Sequence, residues 1–198
     1  MKEQIIITVG REHGSGGHYV AQLISEKLGI KLYDKEIVEG TATDNGFTRE
    51  LVERMDEKPV NFFFSRRIGE YSNSLEENVA QRTFDFIRAK LITGESFVVV
   101  GRCAEEVLKD EPNLIRVFIS GDKADKLQRI MTTDGVDEAK ADEIIRTVDR
   151  RRKTYHNYYS EHKWGDSRGY DVVMNTSRLG ISGTADALIY YIKAFQAI

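Results

Sequence analysis

The most constraining feature of the sequence is the stretch from Ile5 to Gly29, which reads IIITVGREHGSGGHYVAQLISEKLG. It begins with a run of β-branched residues, continues through a glycine-rich turn, and ends in an apolar helical pattern that stops at Gly29. A strand that is apolar on both faces is typical of the interior of a parallel sheet. The stretch therefore predicts a strand, a loop and a helix at the start of an α/β fold.

The loop of this unit has the composition of a phosphate-binding loop. Its glycines allow backbone N–H groups to approach an anion without interference from a Cβ atom, and the following helix presents its positive end. We expect the phosphates of a nucleotide to be bound by Gly14, Ser15, Gly16, Gly17 and His18. The alternative is a tight turn that only links two packed elements.

The loop departs from the usual P-loop pattern, G-x-x-x-x-G-K-[ST]. If Gly16 is the second glycine, Gly17 stands at the lysine position, His18 at the hydroxyl position and Arg11 at the first glycine. The lysine normally neutralises the transferred phosphoryl group, and the hydroxyl normally holds magnesium. Either other residues take over these roles, or the chain is a nucleotide-binding protein that does not catalyse transfer.

The composition limits the class of protein. With 198 residues, 40% of them hydrophobic, the chain is long enough for one substantial core. Its formal charge of −3 argues against a surface built for nucleic acid or anionic lipid. No apolar run approaches the ~18 residues that span a membrane, and no signal peptide is apparent. A single cysteine, Cys103, leaves no internal disulfide, so we expect a cytoplasmic protein. The four histidines lack the spacing of a zinc site, and no metal ligand is assigned.

Four further apolar runs predict strands that alternate with helices: Ile30–Asp34, Ser96–Val100, Leu114–Ile119 and Tyr170–Thr176. This alternation predicts a five-stranded, mostly parallel sheet flanked by helices. Residues 36–72 have the least regular periodicity and are expected to form an inserted element that closes over a substrate. The aromatic run Phe62–Phe64 within them is expected to be local core. A capping box at Ser74 then begins a helix, and a closing helix is expected from residue 183.

Polar side chains follow two of the predicted strands, at the edge where open α/β sheets bind ligands. Asp34 ends the second strand, where it contacts a substrate or caps the helix that starts near Lys35. Arg102 follows Ser96–Val100, which is expected to be a buried, central strand, and its guanidinium group can bind a phosphate there with two hydrogen bonds. The alternative for Arg102 is a pair with Glu105 or Glu106.

A long helix beginning at Asp137 places arginines on two neighbouring stripes. Arg152 continues an apolar stripe, so it faces inward and needs an anionic partner. The second stripe, at i, i+4 and i+7 spacing, contains Arg146, Arg150, Lys153 and Asn157. Such a cluster is expected to wrap the phosphates of a nucleotide, as the lid of a phosphoryl transferase does.

Two other interpretations of the long helix remain open. Asp142 with Arg146, and Asp149 with Lys153, have the spacing of ordinary ion pairs on a solvated helix face, each worth only ~0.2–0.5 kcal/mol. The basic run 150–153 also permits a nucleic-acid contact, which the acidic overall balance disfavours.

Five stretches together resemble the cytidylate kinase-like proteins, relatives of the bacterial cytidylate kinases. They are GREHGSGG, KLYDKEIV, VVVGRCA, DRRRKTYHNYYSEHKWGD and YDVVMNTSRLGI, and they cover nearly the whole chain. The resemblance implies a P-loop nucleoside monophosphate kinase-like fold with a core (1–35, 95–135 and 168–198), a monophosphate-binding insertion (about 36–94) and a lid (about 136–167). It also implies transfer of the γ-phosphoryl group of ATP, with Mg²⁺, to CMP or dCMP.

The resemblance assigns several roles by position. Gly14 to Gly17 match the phosphate loop, and Arg102 matches the arginine that approaches the acceptor. Asp149 and Arg152 match the last Asp-x-x-Arg of the lid pattern, and 175–177 match the strand end beside the adenine. The family's lysine and the aspartate after its Gly-Arg pair are replaced by Gly17 and Cys103.

If the chain is active, another cation must replace the loop lysine. The candidates are Arg11, Arg152 and Lys153. Asp34 is a candidate either to orient magnesium or to accept a proton from the acceptor.

Overall fold

The computed structural model describes residues 4–43, 48–58, 67–68, 71–72 and 74–197. The described strands are β1 (Ile6–Arg11), β2 (Lys31–Tyr33), β3 (Arg67–Ile68), β4 (Tyr71–Ser72), β5 (Phe97–Val100), β6 (Leu114–Ser120) and β7 (Val172–Asn175). The described helices are α1 (Gly17–Leu28), α2 (Lys35–Thr43), α3 (Arg49–Met55), α4 (Leu75–Leu91), α5 (Ala104–Val107), α6 (Lys123–Asp134), α7 (Glu138–Tyr159) and α8 (Thr176–Phe195), with a 3₁₀ turn at Ser167–Gly169.

Five strands form one sheet in the order β2-β5-β1-β6-β7, and all of its described pairings are parallel. In the sheet, β5 and then β2 lie on one side of the central strand β1, and β6 and then β7 lie on the other side. The strand order therefore reverses at β1, and ligands of open α/β sheets bind beyond the carboxyl ends of the strands at such a reversal. The predicted five-stranded α/β sheet is confirmed.

Both faces of the sheet are covered by helices. Successive residues of β1 point to opposite faces of the sheet, so this strand contributes side chains to both layers. On one face Ile7 belongs to a cluster that includes Leu188 of α8. On the other face Ile6 packs in a cluster with Ile37 of α2 and Ile87 of α4. The apolar character of β1 on both faces is thus explained by two layers of helices.

The helix boundaries follow local signals in most places. The side chains of Ser74 and Asp137 accept backbone N–H groups in the first turns of α4 and α7, which confirms both predicted starts. The last helix begins at Thr176, but its backbone breaks at Gly180, where φ is 69°. The part after this break contains the closing helix predicted from residue 183, and the turn before it was not predicted.

The long helix α7 packs against two different partners. Ala141 and Ile145 in its first half contact Leu127 and its neighbours on α6. Tyr155 in its second half packs with Phe84 of α4. Both halves of α7 are therefore anchored in apolar clusters.

None of the helices that the structure describes is long and apolar enough to cross a membrane. The aromatic run Phe62–Phe64, for which local core was predicted, lies outside the described residues.

We expect the Ile7→Ala substitution to lower the free energy of unfolding by about 2–5 kcal/mol, because it leaves a cavity in the cluster between the sheet and α8. Ile7 is 0% exposed. Urea denaturation measures the change. The control is Ile92→Ala, at a side chain that is 89% exposed, where we expect a change within about 0.5 kcal/mol. Equal effects at the two positions would contradict this core.

Candidate functional site

The glycine-rich loop after β1 has a backbone that tolerates few side chains. Gly14 and Gly16 have φ values of 76° and 81°, in the left-handed region that favours glycine. A Cβ atom at Gly14 would lie 3.0 Å from the carbonyl oxygen of Lys126, and one at Gly16 would lie 2.9 Å from Cδ1 of Ile181. The loop is therefore packed against α6 and α8.

Groups from three later elements hold the loop in place. The carboxylate of Asp149 on α7 accepts a hydrogen bond from the backbone N–H of His13 at 2.6 Å. The hydroxyl of Thr176 at the start of α8 donates to the carbonyl of Ser15 at 2.7 Å. The guanidinium group of Arg129 on α6 donates to the carbonyl of Gly14. The N–H groups of His13, Ser15 and Gly17 are bonded within the protein, so an anion would be bound by the remaining N–H groups at the positive end of α1.

The space at the lysine position of the loop is filled by Arg11. A Cβ atom on Gly17 would lie only 2.6 Å from Cβ of Arg11 and 3.2 Å from Cβ of Ile119. The side chain of Arg11 runs from there toward Gly101, where an added Cβ atom would overlap Nη1 of Arg11. Glycines at these two positions are thus required by the path of the arginine.

The buried carboxylate of Glu57 lies at the centre of the cluster beyond the strand ends. Its Oε1 accepts hydrogen bonds from Nη1 of Arg11 at 2.9 Å and from the backbone N–H of Arg102 at 3.0 Å. Its Oε2 accepts from Nε of Arg152 at 3.3 Å, and Arg152 also donates to the carbonyl of Arg11 at 3.4 Å. The inward arginine of α7 therefore has the anionic partner that its position required.

The guanidinium group of Arg102 is bound by carboxylates of two other segments. It donates to Oδ1 and Oδ2 of Asp56 at 3.1 and 2.8 Å. Its Nη1 donates to Asp34 and, at 2.7 Å, to the carbonyl of Val100. This fork-shaped pairing is the one that arginine makes with a bound phosphate. The predicted alternative partners, Glu105 and Glu106, are not bonded to Arg102.

The turn that carries Arg102 has an uncommon backbone. Gly101, Arg102 and Cys103 have φ values of 72°, 57° and 56°, all in the left-handed region. For residues with a Cβ atom this conformation costs roughly 1–2 kcal/mol per residue. The turn aims the N–H of Arg102 at Glu57, and strain of this kind clusters at functional sites.

Asp34, at the end of β2, also contacts the helix that follows the loop. Its Oδ2 lies 2.7 Å from Nδ1 of His18, while its Oδ1 accepts from Arg102. The imidazole of His18 is 43% exposed, and no other hydrogen bond joins it to the part of the chain that the structure describes. Asp34 therefore connects the phosphate loop to the arginine cluster.

The charges of the cluster determine the protonation of its members. Burial alone would raise the pKa values of Asp34 and Glu57, but the hydrogen bond from His18 and the charge of Arg102 lower that of Asp34, and Arg11 and Arg152 lower that of Glu57. The pKa of Arg102 is raised, because its carboxylate neighbours outweigh burial. Burial and the charge of Arg11 lower the pKa of Arg152 to about 10. At neutral pH Asp34, Glu57, Arg102 and Arg152 are therefore ionised.

A second cationic region lies between α6 and α7, next to the loop. A cleft of about 380 Å³ is lined by Lys123, Lys126, Arg146, Arg150, Lys153, Asp142, Asp149, Ile145 and Trp164. Lys126 connects this cleft to the loop, since its Nζ lies 3.0 Å from Oε2 of Glu12 and 3.5 Å from Oδ2 of Asp149. The predicted basic stripe therefore lines a cleft that adjoins the phosphate loop.

Of the two ion pairs predicted on α7, one is present in the structure and the other is not. The pair of Asp142 with Arg146 is confirmed, with Nε 3.1 Å from Oδ2. The pair of Asp149 with Lys153 is wrong, because Asp149 instead binds His13 and Lys126. A backbone N–H and the ammonium group of the buried Lys126 bind this carboxylate more strongly than an exposed lysine on the same helix would.

The structure brings together two groups of predicted residues. One is the loop with its neighbours, and the other is the cluster of Arg11, Asp34, Arg102 and Arg152. The stripe of Arg146, Arg150 and Lys153 lies on the cleft side and is exposed.

Sequence reasoning missed the carboxylates of Asp56 and Glu57, and also Lys126. One signal was present, because two acidic residues follow the carboxyl end of α3, where the helix dipole favours cations.

A further group of polar residues is buried behind the cluster. Cys103, Glu105 and His156 have atoms within 4.8 Å of one another that could act as metal ligands. However, Nε2 of His156 lies 2.6 Å from Oε1 of Glu105. That is a hydrogen-bond distance, since two ligands of one tetrahedral zinc with bonds near 2.0–2.1 Å lie roughly 3.3 Å apart. We interpret the group as a buried hydrogen-bonded pair beside a thiol whose pKa is raised by burial.

The loop fits the phosphates of ATP better than it fits Mg²⁺, the second expected cofactor. Positive-φ glycines and the start of α1 fit the phosphates of a nucleotide. The usual magnesium hydroxyl is replaced by His18, and the hydroxyl of Ser15 is bonded to the carbonyl of Glu12 at 2.8 Å. A magnesium ion here would be held mainly by phosphates and water, as is common for this ion. We assign it no protein ligand.

A family model described as the cytidylate kinase-like family matches residues 6–178. Among solved structures, an uncharacterized protein from Eubacterium ventriosum ATCC 27560 is 41% identical, with a TM-score of 0.74 and coverage of 96% of this chain and 99% of that chain. A shikimate kinase from Bacteroides thetaiotaomicron is 13% identical, with a TM-score of 0.56 and coverage of 96% and 98%. A gluconokinase from Sinorhizobium meliloti 1021 is 13% identical, with a TM-score of 0.50 and coverage of 100% and 94%. The two kinases share the fold at low identity. No functionally curated protein matches the sequence.

We expect Glu57→Gln to destabilise the protein by about 3 kcal/mol or more at pH 7, because it leaves buried arginines without their anion. The folded-state pKa of Glu57 is lowered, so the unfolded state binds more protons in acid. The stabilisation is therefore complete above the unfolded pKa of about 4.3 and is lost as the pH falls below it. Denaturation between pH 3 and 8 should show the variant and wild type converging in acid.

The matched control for this substitution is Glu53→Gln, at an exposed carboxylate on α3 that pairs with Arg49. We expect a change within about 0.5 kcal/mol at every pH. A pH-independent difference for Glu57→Gln would contradict an ionised carboxylate at the centre of the cluster.

Proposed function

Because the chain belongs to the cytidylate kinase-like family, we propose that it transfers the γ-phosphoryl group of ATP to a small acceptor held beside Arg102. The observation that carries this proposal is the placement of two kinds of site side by side. A glycine-rich loop lies at the carboxyl end of the central strand, and an arginine-carboxylate cluster lies beyond the strand next to it. This arrangement suits phosphoryl transfer, whose catalysis consists mainly of positioning and charge neutralisation.

The donor side of the site is the loop together with the cationic cleft. The N–H groups of the loop would bind the terminal phosphates of ATP. Lys126 and Arg129 lie against the loop, and Arg150 and Lys153 line the cleft beside it. In this proposal the phosphates lie between loop and cleft, and Mg²⁺ supplies additional charge neutralisation when bound with the nucleotide.

The acceptor side is formed by Asp34, Arg102 and the carboxylates at the end of α3. We propose that residues 36–94 form the acceptor-binding insertion and 136–167 the lid, around a core of the remaining elements. The family resemblance names CMP or dCMP as the acceptor, so these are the reference acceptors for any assay. We place the reaction in the cytoplasm, where ATP is available, and expect no nucleic acid or membrane partner.

A second candidate function is nucleotide binding without transfer. It is favoured by one observation, which is that Arg11 fills the space where a lysine would stand and pairs with Glu57. In this case ATP binds, but no acceptor turns over and substitution of the arginine cluster changes no rate.

We expect Gly16→Ala to weaken ATP binding by about tenfold or more, because the added Cβ atom would lie 2.9 Å from Ile181 and disturb the loop. Isothermal titration calorimetry with ATP measures the change. The control is Gly94→Ala, whose glycine has a φ of 71° with nothing within 4 Å of an added Cβ atom. It causes the same backbone strain elsewhere, and ATP affinity should be unchanged. Equal loss in both variants would mean that the loop is not the site.

We expect Arg152→Ala to lower the rate of phosphoryl transfer by about 10²-fold or more, since an arginine beside the transferred group stabilises its charge. A coupled assay of ADP formation with CMP, dCMP and other acceptors gives the rate. The control is Arg151→Ala, at the exposed next residue of α7, with an expected change within about twofold. Bound ATP with no turnover of any acceptor would favour the second candidate function.

A further inference from the structure

Among the residues that the structure describes, the charges of the arginine cluster on the acceptor side balance one another. Three guanidinium groups, of Arg11, Arg102 and Arg152, face the carboxylates of Asp34, Asp56 and Glu57. A phosphate acceptor carries about two negative charges and would have to displace a buried, hydrogen-bonded carboxylate to reach these arginines. An uncharged acceptor can bind beside the cluster without breaking any of these pairs. The cluster therefore favours an acceptor without a phosphate.

His18 has the surroundings of a proton acceptor. It is the second residue of α1, directly after the phosphate loop, and its Nδ1 lies 2.7 Å from Asp34. Asp34 also accepts from Arg102, so its carboxylate is ionised and the proton of this contact lies on Nδ1. The lone pair of Nε2 is then directed away from Asp34. A carboxylate that holds an imidazole in this tautomer is the arrangement that makes histidine a general base.

The chemistry of the acceptor decides whether such a base is needed. An ionised phosphate attacks the γ-phosphorus without losing a proton, whereas an alcohol must give up its O–H proton as the new bond forms. A base placed next to the phosphate loop thus has a role only with a hydroxyl acceptor. This distinction connects the position of His18 to the class of substrate.

We propose that His18, oriented by Asp34, is the general base that removes the proton from an acceptor hydroxyl, and that the acceptor is a small alcohol or polyhydroxylated molecule without a phosphate. This inference rests on the proposed phosphoryl transfer and specifies its acceptor. The acceptor oxygen forms a bond to the γ-phosphorus of ATP while the bond from that phosphorus to the β,γ-bridging oxygen breaks. The hydroxyl proton moves to Nε2 of His18, and ADP leaves with the electron pair of the broken bond. Asp34 stabilises the imidazolium that forms.

Several groups lie around His18. Asp34 contacts it from β2, while Arg102 and Arg11 act on Asp34 from the ends of β5 and β1, and the ring of Tyr19 lies 5.6 Å away on α1. A general base acts in its unprotonated form, so we expect any rise of kcat with pH in the wild type to be absent in His18→Ala.

The first experiment uses two kinds of acceptor with radiolabelled ATP and the full chain. The uncharged hydroxyl probes are glycerol, cytidine and water, the last measured as basal ATP hydrolysis. The phosphate probes are CMP and dCMP. We expect label transfer to at least one hydroxyl probe. Transfer only to CMP or dCMP, as the diphosphate, would overturn this inference and support the proposed function. ATP binding without transfer to any probe, water included, would overturn both.

The second experiment compares His18→Ala with wild type on the reactive hydroxyl probe. We expect kcat to fall by about 10²-fold, which is typical of a lost general base, with the KM for ATP nearly unchanged. Added imidazole should restore part of the rate, which a merely structural role of His18 would not allow. The control is His162→Ala, at an exposed histidine beside the 3₁₀ turn, with an unchanged rate. An unchanged rate in His18→Ala, or a loss that imidazole does not restore, would overturn the assignment.

Discussion

The carboxylate of Glu57 connects parts of the chain that are far apart in sequence. It accepts hydrogen bonds from Arg11 at the end of β1, from the backbone of Arg102 after β5, and from Arg152 on α7. Each of these groups is largely withdrawn from water, where an unpaired charge is costly. The path of Arg11 past Gly17, the left-handed turn at 101–103 and the inward position of Arg152 all depend on this one anion.

The same pairing divides the site into two halves of different charge. On the acceptor side the arginines are neutralised, so their first role is to hold α3, the strand ends and α7 together. On the donor side Lys126 and Arg129 lie against the loop, and exposed cations line the neighbouring cleft. A polyphosphate is therefore attracted to the donor side much more than to the acceptor side. This asymmetry is the physical basis for proposing ATP as donor and an uncharged molecule as acceptor.

Much of the fold could be predicted because its signals are local. The strands and the starts of α4 and α7 follow from periodicity and from capping residues within three or four positions. The inward direction of Arg152 could also be predicted, because helical spacing alone places it on the apolar stripe. Its partner could not, since Glu57 is 95 positions away and lies in the segment with the weakest pattern. The rule that pairs charged residues four positions apart on a helix failed for Asp149, which binds a backbone N–H 136 positions away and not Lys153.

The amino-acid sequence by itself determined an α/β chain with a glycine-rich loop after its first strand, a basic stripe on a long helix and one arginine that required an anion. These features depend on residue spacing, which short-range geometry converts into strands, turns and helix faces. Only the tertiary structure decided which carboxylate neutralises which arginine, that Arg11 fills the space of the absent lysine, and that His18 meets Asp34. Those outcomes depend on burial and on distances between segments that the chain brings together only when the whole sheet is assembled.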